Sequence, residues 1–139
     1  EDACAQDVEA TVLETGVAAS VVLTGRVTME QLKALYLTAD CLLVTSEHEG
    51  FCVPLVEAMG LQVPVVAVPT SAIPFTGGDA VRYAEGDPDD LAEAMQDLLT
   101  DDETREDQLG RGWVRYQERF SNEAIERRFL ALMENVLSS

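Results

Sequence analysis

Apolar positions fall into short blocks whose period changes along the chain, and the blocks predict alternating helices and strands. Within 2–15, Ala5, Val8 and Val12 share one helical face, and Gly16 can end that helix in the left-handed region. Val21-Val22-Leu23-Thr24 is a short apolar run closed by Gly25, the length of a buried strand. Thr28 and Gln31 form a capping box ahead of a helix with Leu32, Leu35, Tyr36 and Ala39 on its apolar face. Cys41 to Thr45 is the next strand run, followed by a polar turn through Ser46–Cys52 and a helix opening at Val53-Pro54. Pro64 to Val68 is a third strand, Pro69 to Asp79 a loop carrying Gly77-Gly78, and Val81 to Ala84 a fourth strand. Asp87-Pro88 is a helix-start signal followed by Leu91, Met95, Leu98 and Leu99 at helical spacing. A further helix from about Asp102 places Leu109, Trp113, Tyr116 and Phe120 on one face. The last helix follows Ser121 as N-cap and carries Ile125, Phe129, Leu132, Met133 and Val136. Both stripes read as core.

Strands alternating with helices imply an α/β fold with a parallel sheet. The 139 residues suffice for one domain with a real core, and 47% hydrophobic content marks a globular chain. No apolar run approaches the ~18 residues of a membrane span, and neither a repeat nor a basic leader is visible. The chain begins Glu1-Asp2-Ala3, without an initiator Met, and reads as a fragment or a processed or trimmed product.

Charge narrows the partners. Twenty-six acids face 9 bases, a net −17, and Lys33 is the only lysine. Duplex nucleic acid is excluded as a partner on this ground, since binding it needs basic side chains to displace counterions. A polyanionic ligand would have to be held by local donors against the overall field. Two origins for this balance stay open: adaptation to high salt, or the codon bias of a high-GC genome. Cys4, Cys41 and Cys52 contain no CxxC pair and cannot all pair with each other, which argues for a reducing compartment and against a zinc site.

The chemistry concentrates in Glu49–Met59, EGFCVPLVEAM. A helix that starts at the carboxyl end of a parallel strand presents free N–H groups and partial positive charge, a ready anion site. Gly50 lets backbone approach a ligand closely. Glu49 stands at the mouth of the loop and Glu57, eight positions on, in the first helical turn; carboxylates so placed suit a polyhydroxylated ligand. Taken singly, each residue has a plain explanation. The helix dipole accounts for Glu57, solvation for Glu49, and His48 reads as an exposed loop residue.

The whole string, however, resembles the donor-site motif of retaining glycosyltransferases of the GT-B fold, family 4 type. Their two glutamates flank a Gly-Phe-Gly turn and a Leu/Val-Glu-Ala-Met helix, matched here by Glu49, Gly50, Phe51, Glu57, Ala58 and Met59. VVLTGRV and QVPVVAV resemble two flanking strings of that family, so the likeness covers nearly the whole chain. It implies a Rossmann-like parallel sheet flanked by helices, the C-terminal half of such an enzyme. The doubly wound order 3-2-1-4-5-6 would make the four strand runs strands 3, 4, 5 and 6, with the domain's first two strands missing. Val21–Thr24 and Cys41–Thr45 should then not be neighbours. Residues 1–139 would be a single, partial donor-binding domain, with the N-terminal acceptor-binding domain absent. The isolated chain is expected to be inactive, and marginally stable or self-associating.

The resemblance further implies roles. Glu49 would contact the donor sugar and serve catalysis, Glu57 would accept from the ribose, and the N–H groups of Cys52 and Val53 would bind the diphosphate. Gly50 and Phe51 would form the turn, and Arg26 and Val27 would lie near the base. The donor would be a nucleotide-diphosphate sugar, its sugar passing to an acceptor hydroxyl with retention, with no cofactor and no metal. The intact enzyme would be cytoplasmic or peripheral to the membrane. Four departures stand out: Cys52 replaces the turn's second glycine, Gln62 replaces a helix-ending glycine, Phe75 replaces a frequent glutamate, and the Gly-Arg strand and downstream Lys that neutralise the diphosphate are absent. Three readings therefore stay open: part of a glycosyltransferase, a non-catalytic nucleotide or nucleotide-sugar binding module, or an interaction domain that lost its ligand.

Overall fold

The computed structural model describes residues 3–138. The chain divides into two compact units, Glu1–Leu32 and Lys33–Ser139.

In the N-terminal unit local signals are sufficient to make helix. Helix α1 spans Ala3–Glu14 and stops where Gly16 takes φ 72, a conformation that favours glycine. A 3₁₀ turn follows at Ala18–Ser20. Helix α2, Met29–Thr38, begins in this unit and runs into the next. Its capping box forms in both directions, Thr28 N–H donating to Gln31 Oε1 at 2.9 Å and Gln31 N–H to Thr28 Oγ1 at 3.3 Å.

The strand expected at Val21–Thr24 does not form: Val21 is extended but the run is unpaired, and Val22 is 83% exposed. Extended backbone becomes a strand only when a neighbour accepts and donates along its edge, and none does so here.

The C-terminal unit holds the sheet. Strands β1 (Leu42–Val44), β2 (Val65–Ala67) and β3 (Arg82–Tyr83) lie in that order, all parallel. The register pairs Leu42 with Val65 and Val66 with Arg82. These are three of the four expected strands, in consecutive order. β2 is central and wholly buried, as a covered parallel strand should be.

Between the strands run α3 (Val53–Gly60) and the short α4 (Ile73–Gly77), then a 3₁₀ turn at Gly78–Ala80. The stretch expected as a plain loop thus carries a helix, started by Pro74 in its first turn. Helices α5 (Pro88–Thr100), α6 (Asp102–Arg119) and α7 (Asn122–Leu137) complete the unit. Their N-caps are Asp87, Asp101 and Ser121, each accepting from a backbone N–H of the following turn.

One side of the core packs Val66, Ala84, Ala94 and Leu98 together, with Leu91 and Met95 against them. Leu99 stays half exposed. Two of the expected core stripes are displaced. On α6 the buried positions are Gln108 and Gly112, whereas Trp113 is 40% exposed. The reason is contact with α3: Gly112 lies against Met59, and Tyr116 packs so close to Gly60 that a Cβ there would collide. Gln108 Nε2 donates to the Val65 carbonyl at 2.7 Å, a buried polar tie to the central strand. On α7 only Ala124 is buried, and Ile125, Phe129, Leu132, Met133 and Val136 are exposed. That stripe is not core within the described residues, because no element among them covers it.

Candidate functional site

The turn 46–52 leaves the carboxyl end of β1 and enters α3 through a left-handed residue. Cys52 has φ 61 and ψ 70, so the backbone keeps the conformation a glycine would take although a Cβ is present. Its thiol turns inward and the residue is 2% exposed. The side chain that could have crowded a ligand is therefore directed into the core. The cost is backbone strain, on the order of 1 kcal/mol. Gln62 keeps the left-handed turn after α3 in the same way, at φ 55.

Helix α3 begins at Val53, so Pro54 is its second residue and Glu57, expected in the first turn, lies one full turn in. The first turn carries no acid. The helix dipole acts within the first turn, so it does not account for Glu57.

Glu57 is instead fixed by a side chain. The Tyr36 hydroxyl, from the second half of α2, donates to Glu57 Oε2 at 2.9 Å. Burial, reinforced by the accepting carboxylate, raises the Tyr36 pKa well above its ordinary value of 10.0. The contribution of this pair to stability is complete below that ordinary value and is lost as pH climbs through the raised one. At neutral pH the donor is always present. One Glu57 oxygen is thus occupied by tyrosine.

At the head of the turn Glu49 is half-buried and Gly50 exposed. A Cβ at Gly50 would meet nothing within 4 Å, so backbone is open to approach there. Phe51 is 43% exposed and rests edge-on against Phe120, centroids 5.7 Å apart at 79°. Burial pushes the Cys52 thiol pKa up, with the Glu49 charge adding to the shift. Val53 is more than half exposed at the helix start, and the first amide to bond back is Leu55, to the Cys52 carbonyl at 3.1 Å. The N–H groups of Cys52 and Val53 precede that bond.

The C-terminal unit therefore brings together Glu49, Gly50, Phe51, Cys52, Val53 and Glu57. Arg26 and Val27 belong to the N-terminal unit, Arg26 exposed at the bend after Gly25 and Val27 half-buried.

The sequence did not reveal four other residues. Tyr36 reads as one more apolar-face residue, yet it carries the hydroxyl that holds Glu57. Thr70 and Thr76 sit in what looks like a loop and bond to the turn's carbonyls. Arg115 lies 39 positions from Thr76 and donates to its carbonyl. No local pattern could have found these, because each works through a partner distant in the chain. Among the described residues no group of three or more His, Cys, Asp or Glu is placed to hold a metal ion, and no helix is long and apolar enough to cross a membrane.

Known proteins resemble this chain. The chain is 37% identical over 89 residues to O-antigen chain mannosyltransferase B of Escherichia coli, covering 63% of this chain and 23% of that protein. It is 37% identical over 79 residues to D-inositol 3-phosphate glycosyltransferase of Corynebacterium jeikeium, covering 55% of this chain and 19% of that one. It thus spans under a quarter of the length of these curated relatives. Among solved structures, sucrose-phosphate synthase from Thermosynechococcus elongatus superposes with a TM-score of 0.78 at 25% identity, over 96% of this chain and 34% of that one. The α/β fold is that of a GT-B glycosyltransferase domain. Residues 5–111 match the family described as "Glycosyl transferases group 1", and this chain belongs to that family.

Proposed function

We propose that this chain is the donor-binding part of a glycosyltransferase, holding a nucleotide-diphosphate sugar whose sugar passes to an acceptor hydroxyl with retained configuration. The observation that carries the reading is Glu57, held by Tyr36 a full turn into α3, where the helix dipole does not call for an acid. With Oε2 bound to tyrosine, Oε1 accepts from the ribose hydroxyls. Glu49, on the turn, accepts from the sugar and is the residue nearest the reacting centre. The diphosphate takes the N–H groups of Cys52 and Val53 at the start of α3, which strengthen their hold as the leaving group gains charge. In this reading the protein's own donors stabilise the leaving diphosphate. The acceptor-binding half belongs to a longer polypeptide, as the short coverage of the relatives suggests.

Calorimetric titration of Glu57→Ala and Glu49→Ala with UDP, GDP and their sugar conjugates tests the division of roles. Losing a charged hydrogen-bond acceptor should cost about tenfold or more in affinity. Glu57→Ala should show that loss for both kinds of ligand, and Glu49→Ala only for the sugar conjugates. Equal losses at both positions for both ligands would sink this assignment.

A further inference from the structure

We propose that the segment Thr70–Thr76, anchored by Arg115, is a positioning frame that turns the amides of the 46–52 loop toward the diphosphate. This rests on the donor-site reading above and names what aims that site. Four carbonyls of the loop accept from this one segment. Thr70 Oγ1 donates to Ser46 at 2.5 Å, Ser71 Oγ to Glu47 at 3.5 Å, Ala72 N–H to Glu49 at 3.3 Å, and Thr76 Oγ1 to Phe51 at 2.5 Å.

A trans peptide is planar, so each carbonyl and the N–H that follows it point in opposite directions, and the chain has no cis bond. Fastening the carbonyls of Ser46, Glu47, Glu49 and Phe51 to one side therefore turns the N–H groups of Glu47, His48, Gly50 and Cys52 to the other. None of these four donates to a protein acceptor among the described residues. The arrangement is a row of aimed donors at a helix start, which suits a phosphate anion.

Thr76 is the key member. It is fully buried, and its hydroxyl sets the peptide plane that contains the Cys52 N–H. Arg115 fixes the frame from α6, Nε donating to the Thr76 carbonyl at 2.8 Å and Nη2 to the Phe75 carbonyl at 2.7 Å. The guanidinium sits where a Cβ on residue 78 would stand, so Gly78 is part of the anchor. Both bonds are charge-assisted. Arg115 thus acts on the site through the backbone of α4 and is a positioning residue.

The test compares Thr76→Val, which keeps the shape and removes the hydroxyl, with Thr76→Ser, which restores it. Each is titrated with UDP, GDP and inorganic pyrophosphate, and amide hydrogen exchange is followed over 70–77, where Ala72 N–H is bonded to the Glu49 carbonyl and Ile73 N–H to that of Thr70. Thr76→Val should weaken pyrophosphate and the diphosphates by about tenfold or more and speed exchange of these frame amides, and Thr76→Ser should recover both. Should Thr76→Val not fold, Arg115→Lys carries the same expectation, since a lysine cannot reproduce the two-pronged grip. Undiminished binding, whether or not exchange changes, overturns the proposal. If the unsubstituted chain binds none of the three probes, it is the donor-site reading that falls. Exchange alone then decides the frame: faster in Thr76→Val and restored in Thr76→Ser supports it, and no change overturns it.

Discussion

The N-terminal and C-terminal units contain the same kinds of apolar run and use them differently. Val21–Thr24 and Leu42–Val44 are equally strand-like, yet the first is left unpaired and the second is the edge of a parallel sheet. Among residues 6–32 none is buried, whereas the C-terminal unit contains fully buried Leu55, Val66, Ile73 and Leu98. Helices fare alike in both units, because their hydrogen bonds and caps are local. A strand depends on a neighbour, and a core on several elements meeting. The lesson is that helix-start signals speak for their own segment, while a strand run speaks only for a demand that some other segment must meet.

The sharpest way to break the comparison is to cut one buried and one exposed side chain. Leu55→Ala should destabilise the chain by about 2–5 kcal/mol, the usual cost of a cavity at a fully buried leucine. Val22→Ala, at an 83% exposed position, should stay within about 0.5 kcal/mol. Urea unfolding of both variants decides it, and similar shifts would mean that the N-terminal run is packed after all.

A smaller effect is expected at Gln62, exposed and left-handed at φ 55. Gln62→Gly should relieve strain and raise stability by about 0.5–1 kcal/mol, visible as a higher urea midpoint with an unchanged slope. A loss would show that the glutamine side chain gives more than its backbone costs.

The smallest effect should come from the capping box. Its Gln31 N–H to Thr28 Oγ1 bond is long, 3.3 Å, so Thr28→Ala should cost only about 0.5 kcal/mol. That loss should appear as faster exchange in the first turn of α2, with the unfolding midpoint of the core scarcely moved. A large drop in that midpoint would tie the start of α2 to the core's stability and blur the contrast between the units.

How much of this was legible beforehand differs by element. The caps at Thr28, Asp87 and Ser121, the left-handed stop at Gly16 and the runs that became β1, β2 and β3 could all be read locally. So could the Glu49–Glu57 string, whose residues do lie together at one turn and helix start. The helix at Ile73–Gly77 was announced by Pro74 but masked by the glycines beside it. The faces of α6 and α7 were not legible, since spacing says which residues share a face and not which neighbour that face will find. On α6 one glycine, Gly112, and the buried Gln108 take the inward positions where larger apolar residues were expected.

The sequence by itself determined where the longer helices begin and which short string carries the carboxylates, because those depend on dihedral preferences and spacing within a few residues. Only the tertiary structure decided that Val21–Thr24 would stay unpaired and that Cys52 would hold a left-handed turn with its thiol inward. It alone decided that Tyr36 would fix Glu57, and that Thr70, Thr76 and Arg115 would fasten the loop. Apart from the unpaired run, each of those outcomes is a hydrogen bond or packing contact between segments tens of residues apart. Its free energy exists only once the sheet and helices have brought both partners to the same place.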